Sequence, residues 1–213
     1  MSRDWNQVFH NWAAGPSDTE EKKISNTLSK IRAAIHNDLK LKTKDLYVFV
    51  QGSYKNNVNV KIDSDIDVGV LCRNTLFIDS LDENLSKIIN NKFSAATYKY
   101  SEFKNDLEYA LANYFGRNSL SRGNKSFDIH ENSSRVDADV VALIEYRRYI
   151  NENDYIEGVT LYPDNSVPEK VINWPEQNYL NGIKKNNVTG RRFKRIVRIL
   201  KKLAVFKQNT DLV

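Results

Sequence analysis

Two stretches decide the fold of this chain: LYVFVQGSYK at residues 46–55 and SDIDVGVL at residues 64–71. Each contains a short apolar run rich in β-branched or aromatic residues, which predicts a buried strand. The first run ends at the pair Gly52-Ser53, and the second follows two acidic residues, Asp65 and Asp67. We therefore predict two strands, with a tight turn after the first and paired carboxylates at the start of the second.

The Gly52-Ser53 turn admits two interpretations. A glycine directly after a buried strand lets backbone amides approach phosphate oxygens, and a serine hydroxyl adds a donor or an acceptor. In most proteins, however, such a pair is an ordinary turn. The pair alone therefore leaves both a phosphate site and a structural turn open.

The two acids of the second stretch point the same way. Asp65 and Asp67 are two positions apart, so strand alternation directs both carboxylates to one face while Ile66 and Val68 point to the core. Like charges this close repel unless a cation lies between them, and Mg²⁺ prefers oxygen ligands of this kind. The alternative is a pair of solvated acids in an acidic loop with Asp63.

A third acidic position lies in a predicted β-hairpin. Residues 125–130 alternate polar and apolar, and after a turn residues 135–143 continue as a strand containing the run VDADVVAL. An acid in so apolar a strand is costly to bury unless it is paired, protonated or bound to metal. Asp137 and Asp139 share one face, so alternation cannot choose between them. An edge strand with a solvated face is the alternative.

Helices are predicted around these strands. Apolar spacing indicates a short helix before Gly15 and a longer one that begins at a Ser17–Glu20 capping box. Further helical patterns cover residues 79–92 and 101–116, and another begins at Trp174-Pro175. A terminal basic helix is capped by Thr189, and its expected buried stripe comprises Phe193, Ile196, Val197, Leu200, Leu203 and Ala204.

Composition excludes several classes of protein. The chain of 213 residues has 40% hydrophobic residues, which is too many for a disordered chain, and it has no apolar run long enough to span a membrane. Its single cysteine, Cys72, and three scattered histidines leave only oxygen ligands for any metal site. We therefore expect a soluble protein in the reducing cytoplasm, with no membrane partner.

Taken together, the three acidic and glycine features resemble the polymerase-β-like nucleotidyltransferase superfamily. In that pattern Gly-Ser is followed after eleven residues by Asp-x-Asp and about 70 residues later by a third acid on a strand, as found here. A closer resemblance is to the bacterial cyclic-oligonucleotide synthases related to cyclic GMP-AMP synthase and oligoadenylate synthetase, the CD-NTases. It spans residues 19–205 and is carried by QGSY at 51–54, SDIDVGV at 64–70, ADVVA at 138–142, NWP at 173–175 and FKRIVRILK at 193–201.

The resemblance implies both a fold and a site. The fold would be an α/β (α+β) nucleotidyltransferase core, a mixed twisted sheet with flanking helices. Gly52 and Ser53 would bind the β- and γ-phosphates of a nucleoside triphosphate, and Gln51 would be a further nucleotide-binding residue. Asp65, Asp67 and Asp139 would be the catalytic acids and would bind two Mg²⁺ ions, or Mn²⁺ in their place.

The resemblance also implies an activity. The enzyme would join ATP, GTP, UTP or CTP into a cyclic di- or oligonucleotide second messenger and release pyrophosphate. In a bacterial anti-phage setting, a downstream effector would read that product. The alternatives are nucleotidyl transfer to a protein, tRNA or small-molecule hydroxyl, and a non-catalytic module that binds nucleic acid.

The positive charge of the chain is concentrated at its end. The whole sequence has a net charge of +5, but residues 184–213 hold ten basic side chains and one acid, so the other 183 residues sum to −4. On the terminal helix Lys194 and Lys201 fall at the edge of the apolar stripe, from which a side chain can reach into a cleft. Lys201, at the family position that resembles a triphosphate contact, is the first candidate for that role and Lys194 the second. A nucleic acid or a regulatory protein is a further candidate partner. For Arg191, Arg195 and Lys202, on the far face of the helix, a solvated exterior is the favoured alternative.

The expected organisation has three parts. Residues 1–17 would form an N-terminal helical segment, residues 18–188 the catalytic core, and residues 189–213 a basic helix that starts a C-terminal helical lobe. Members of the family usually run to around 300 residues, so we expect the rest of that lobe, with its base-specificity residues, to be missing from these 213 residues.

Overall fold

The computed structural model describes residues 4–60 and 65–210, the last three of these by their backbone alone. Its helices are α1 (Trp5–Trp12), α2 (Asp18–Asn37), α3 (Gly52–Lys55), α4 (Glu83–Asn90), α5 (Tyr100–Phe115), α6 (Pro175–Val188) and α7 (Arg192–Thr210). Its strands are β1 (Leu46–Val50), β2 (Ile66–Ser80), β3 (Leu120–Arg122), β4 (Phe127–Ile129), β5 (Ala138–Tyr149), β6 (Tyr155–Leu161) and β7 (Val171–Asn173). None of the helices in the described ranges is both long and apolar enough to cross a membrane.

The strands form one mixed sheet, as predicted. Strand β2 pairs with β1 on one side in antiparallel fashion and with β5 on the other side in parallel. Strand β5 continues the sheet through β4 to β3, and its second half pairs with β6, which pairs with β7. The predicted hairpin is confirmed as β4 and β5. The two long strands β2 and β5 start level with each other, because Ile66 is in register with Ala138.

The two faces of this sheet have different roles. On one face Val68, Val70 and Cys72 are buried against α2 and α5 in the main core. On the other face Leu71, Leu143 and Val159 belong to a smaller apolar cluster. Because side chains alternate along a strand, Asp67 shares this second face with Leu71. The main core thus supports the sheet from behind, and the second face carries the acids.

The helix starts follow local capping chemistry. The Ser17 side chain accepts a hydrogen bond from the Glu20 amide, and the Glu20 carboxylate accepts one from the Ser17 amide at 2.8 Å, so the predicted capping box of α2 is confirmed. The Thr189 hydroxyl accepts from the Phe193 amide at 3.2 Å, as expected for the start of α7. The N-terminal helix α1 packs on α7, where the Phe206 ring lies 5.9 Å from that of Trp12.

Two expectations from the sequence are wrong in detail. The helix predicted over residues 79–92 begins late, because β2 continues to Ser80 and the Asp82 carboxylate caps α4 by accepting from the Leu85 amide at 2.8 Å. The stripe expected to be buried on α7 is largely open, since Ile196 and Leu200 are 52% and 57% exposed, while Arg198 on another face is buried at 8%. Hydrophobic periodicity predicted the helix α7, but it did not predict which face of α7 contacts the rest of the chain.

Candidate active site

Three carboxylates lie side by side across three neighbouring strands. Asp67 at the start of β2 is in register with Asp139 at the start of β5, and Asp139 is in register with Asp128 of β4. Residues directly opposite each other on adjacent strands project to the same face of a sheet. The two predicted acids therefore come together, and a third, Asp128, stands beside them.

The electrostatics of Asp139 confirm that the acids interact. Burial, followed by the negative charges of Asp128 and Asp65, raises the pKa of Asp139 to about 6. Protonated Asp139 also donates a hydrogen bond to Asp128, which raises the pKa further, and Asp67 adds repulsion. Asp65, which precedes β2, is thus close enough to act on Asp139. Such mutual repulsion is what a bound cation would relieve.

Asp67 receives an opposing influence from the terminal helix. Burial raises the pKa of Asp67, and the positive charge of Lys201 lowers it. The Lys201 ammonium is therefore near enough to Asp67 for its charge to act on that carboxylate. Lys194 is placed differently: its ammonium lies 5.8 Å from the centre of the Tyr179 ring on α6. Of the two lysines, Lys201 is the one whose charge lowers the pKa of Asp67.

The Gly52-Ser53 turn is packed directly against Asp67. Gly52 has a φ of +63°, and a Cβ atom there would overlap Asp67 Oδ2 and lie 2.8 Å from Asp67 Cγ. The Gln51 amide donates to the Asp67 carbonyl at 2.9 Å. Only glycine satisfies both the backbone angle and the lack of space. The turn therefore brings backbone amides next to the carboxylate, which is the geometry expected of a phosphate-binding turn beside a metal site.

The chain after Gly52 is held by its own hydrogen bonds. The Asn56 side-chain amide donates to the Gly52 carbonyl at 2.9 Å, and the Val58 amide donates to the Ser53 carbonyl at 2.9 Å. Ser53 itself is half-buried in the single helical turn α3. These contacts keep the turn in one shape without involving the hydroxyl of Ser53 in either bond.

The structure also separates Asp137 from Asp139. The Asp137 carboxylate accepts a hydrogen bond from the Glu131 amide at 2.6 Å, so it fastens the loop of the β4–β5 hairpin. Asp139 instead stands level with Asp67. Alternation could not choose between these acids, because the choice depends on strand register and on a loop contact that the sequence pattern does not encode.

Two residues near the site were missed in the sequence. Asp128 lies in the alternating run 125–130 between the buried Phe127 and Ile129, and that flanking pattern could have placed its carboxylate on the open face of the sheet. Lys55, at the end of α3, pairs with the Glu176 carboxylate at 2.7 Å. No signal in the sequence links Lys55 to Glu176, because they are 121 positions apart.

The donor set fits a hard divalent cation. Within the described part of the chain, no three His, Cys, Asp or Glu side chains converge closely enough to form a ready-made metal cage. That is expected of like charges with no cation between them. The groups available beside the Gly52 turn, from Asp65, Asp67 and Asp139, are all carboxylate oxygens, which suit Mg²⁺ or Mn²⁺ and not a thiolate-binding metal.

A mixed sheet with acids at the start of two parallel strands, and a Gly-Ser turn packed against one of them, defines a polymerase-β-like nucleotidyltransferase. The comparisons agree. The chain is 49% identical over 208 residues to the cyclic dipyrimidine nucleotide synthase CdnE of Legionella pneumophila, covering 95% of this chain and 69% of that protein. It is 39% identical over 203 residues to a synthase of the same name from Cecembia lonarensis, covering 95% and 68%.

The solved structures point to the same family. The CdnE cyclic UMP-AMP synthase of Rhodothermus marinus, solved with Apcpp and Upnpp, matches with a TM-score of 0.81 and 32% identity over 96% of this chain and 68% of that one. No protein-family model matches the chain. The chain belongs to the CdnE family of CD-NTase nucleotidyltransferases, and it spans about two thirds of the length of these relatives.

Proposed function

We propose that this chain joins two nucleoside triphosphates into a cyclic dinucleotide and prefers pyrimidine nucleotides. The observation that carries the proposal is the contact between the Gly52 turn and Asp67, which is itself in register with Asp139. Triphosphate binding and an acidic catalytic centre are thereby adjacent. The names of the relatives at 49% and 39% identity support the preference for CTP and UTP.

The chemistry requires little from the protein beyond position and charge. In each transfer a ribose hydroxyl oxygen of one nucleotide bonds to the α-phosphorus of the other, the bond to the bridging oxygen breaks, and pyrophosphate leaves. A second transfer between the same two nucleotides closes the ring. The hydroxyl proton passes to solvent. The amides of the Gly52-Ser53 turn bind the β- and γ-phosphates, the Gln51 side chain binds the same nucleotide, and the Lys201 ammonium adds positive charge beside Asp67.

The acids would hold the cofactor. Asp65, Asp67 and Asp139 would bind two Mg²⁺ ions, or Mn²⁺, which when bound neutralise phosphate charge and make the acceptor hydroxyl easier to deprotonate. Asp128 sustains the negative potential at Asp139 from the neighbouring strand. Burial of the sheet beneath these acids keeps their backbone fixed, since Ile66 and Ala138 are almost fully buried.

The wider role rests on family membership. We propose that the product is a second messenger of anti-phage signalling that a downstream effector reads, and that the enzyme works in the cytoplasm, where nucleoside triphosphates are made. A regulatory protein or a nucleic acid would bind the basic helix α7. We also propose that residues 18–188 form the catalytic core, with residues 1–17 and 189–213 flanking it.

The direct test is a set of reactions with one radiolabelled nucleoside triphosphate and each unlabelled partner, in Mg²⁺ and in Mn²⁺. We expect a small labelled product with CTP and UTP, and its loss in the double variant Asp65→Ala/Asp67→Ala. The exposed Glu157→Ala on β6 is the matched control and should retain activity. Label on a protein, an RNA or a small acceptor would identify a transferase of another kind, and no labelled product with any pair would refute the proposal.

A further inference from the structure

Arg198 lies in the middle of a row of cations on α7. Lys194, Arg198 and Lys201 are spaced i, i+4 and i+7, which places them on one face of the helix. Arg198 is 8% exposed, whereas Lys194 is half-buried and Lys201 is exposed. The family motif implies a triphosphate contact for the two lysines, and it implies no role for the buried arginine between them.

The guanidinium group of Arg198 connects three separate segments. Its Nε donates to the Ala13 carbonyl at 2.7 Å, just after α1, and its Nη1 donates to the Asn57 carbonyl at 2.6 Å. Nη1 also lies 3.3 Å from the Asn57 side-chain oxygen. Asn57 follows the phosphate turn and has a φ of +52°. Arg198 therefore ties α7 both to the N-terminal helix and to the chain that leaves the Gly52 turn.

These acceptors are all neutral. None of the ion pairs between described residues includes Arg198, so within the described ranges its charge is buried against oxygens of neutral groups. Burying an ion without a counter-charge costs free energy that hydrogen bonds to carbonyls offset only in part. Burial and repulsion from Arg195 accordingly lower the pKa of Arg198. If Arg198 only held three segments together, a facing carboxylate would lower the free energy of burying its charge.

The counter-charge of Arg198 would be supplied by the substrate if the triphosphate is the anion that faces it. Arg198 contacts Asn57, five residues after Gly52, and it shares a face of α7 with Lys201, so its charge adjoins both elements that would bind a triphosphate. A positive charge with no partner of its own contributes its full potential to a nearby polyanion.

We propose that Arg198 is a positioning residue for the triphosphate site: it fixes the phosphate turn against α7 through Asn57, and its charge is left without a carboxylate so that it attracts the triphosphate. This inference rests on the proposed function in that it takes the Gly52 turn to bind a triphosphate. It is independent of which bases are joined and of ring closure.

The decisive variant is Asn57→Asp, which places a carboxylate where an amide oxygen now lies 3.3 Å from Nη1. Aspartate tolerates the left-handed backbone angle of Asn57. The new ion pair should raise the melting temperature while it neutralises Arg198. We expect the affinity for inorganic tripolyphosphate with Mg²⁺, measured by calorimetry, to fall about tenfold, which corresponds to about 1.4 kcal/mol. Asn91→Asp at the C-terminal end of α4 makes the same change in net charge and should leave the tripolyphosphate affinity unchanged.

A second variant, Arg198→Lys, keeps the charge but loses the fork that contacts two segments. We expect a higher KM for nucleoside triphosphate with a smaller change in kcat, and a control change of the exposed Arg195→Lys to alter neither. A stabilised Asn57→Asp protein that binds tripolyphosphate as tightly as the unmodified chain would overturn the inference, as would an unmodified chain that does not bind tripolyphosphate. Arg198-dependent binding without any cyclic product would retain the inference and refute the proposed function.

Discussion

Gly52 is the residue on which the geometry of the site depends most directly. Its positive φ and the position of Asp67 against it each exclude a side chain. These are different constraints, because the first affects the stability of the backbone and the second affects the carboxylate. A substitution at Gly52 affects both the backbone and the carboxylate. The two effects can be separated if the free-energy cost of the positive φ is measured at another glycine.

Gly190 provides that measurement. It has a φ of +58°, close to the +63° of Gly52, but a Cβ atom there would meet no atom within 4 Å. We expect Gly190→Ala to cost roughly 1–2 kcal/mol of unfolding free energy for the backbone angle alone and to retain most activity. Gly52→Ala should lose activity by about 100-fold or more, since it displaces the Asp67 carboxylate, which we propose to bind metal. Equal activity of the two alanine variants in an initial-rate assay would argue against the contact with Asp67.

Asp139 should make the metal-free protein less stable at neutral pH. Its pKa in the folded state is about 6, against about 3.9 for an ordinary aspartate. The folded state therefore binds more protons between these values, and the contribution of Asp139 to stability decreases as pH rises through that range. Allowing for the solvent that screens a half-buried group, we expect the loss to be roughly 1 kcal/mol.

The corresponding experiment compares Asp139→Asn with the unmodified chain at pH 7.5. With EDTA present the variant should melt about 2–4 °C higher, and adding Mg²⁺ should stabilise the unmodified chain but not the variant. Asp137→Ala is the control on the same segment, because it loses the hydrogen bond from Glu131 and should melt lower with or without metal. A destabilised Asp139→Asn in EDTA would contradict the proposed repulsion among the acids.

At the scale of elements, a buried lysine fastens α5 to the rest of the fold. Lys104 of α5 has a side chain only 2% exposed, and its ammonium pairs with the Asp164 carboxylate at 2.8 Å. Asp164 also pairs with Arg122 of β3 at 2.8 Å. Hydrogen bonds from Arg122 and Lys104 hold the pKa of Asp164 at about 2. One carboxylate thus joins α5, β3 and the loop after β6.

Removing the acid should be worse than removing the lysine. Asp164→Asn leaves the Lys104 charge buried without a partner, and we expect a loss of about 1–3 kcal/mol in urea unfolding at pH 7, allowing for the partial exposure of Asp164. Lys104→Met, which removes the charge itself, should cost less. The stability that Asp164 provides is present above its ordinary pKa and lost as pH falls toward 2, so Asp164→Asn and the unmodified chain should converge in acid. A larger loss for Lys104→Met at pH 7 would contradict this account.

The sequence predicted elements better than their contacts. Strands β1 and β2, the β4–β5 hairpin and the capping box of α2 followed from local patterns, because alternation and capping depend on neighbouring residues. The open face of α7, with Ile196 and Leu200 exposed, did not follow, because periodicity cannot say which side of a helix meets the rest of the chain. Asp128 was missed for a related reason, since its place beside Asp139 is set by strand register.

Across the whole molecule, the separation of charge seen in the sequence has a structural counterpart. The part of the chain with net negative charge carries Asp65, Asp67, Asp128 and Asp139 around one end of the sheet. The basic terminal segment includes α7. The charge of its Lys201 acts on Asp67, and its Arg198 contacts Asn57, which follows the Gly52-Ser53 turn. A nucleoside triphosphate with bound metal would match this division. Its phosphates would face the basic residues of α7, and its metal ions would face the acids of the sheet.

The central claim, that these acids close a ring between two nucleotides, is tested most directly by the end groups of the product. Incubation of the chain with CTP, UTP and Mg²⁺, followed by phosphatase treatment and mass spectrometry, should give a dinucleotide resistant to phosphatase, with one pyrophosphate released per nucleotide consumed. Asp67→Asn should give neither. A linear dinucleotide that has lost its terminal phosphates to the phosphatase, or a ring formed equally well by Asp67→Asn, would contradict the account.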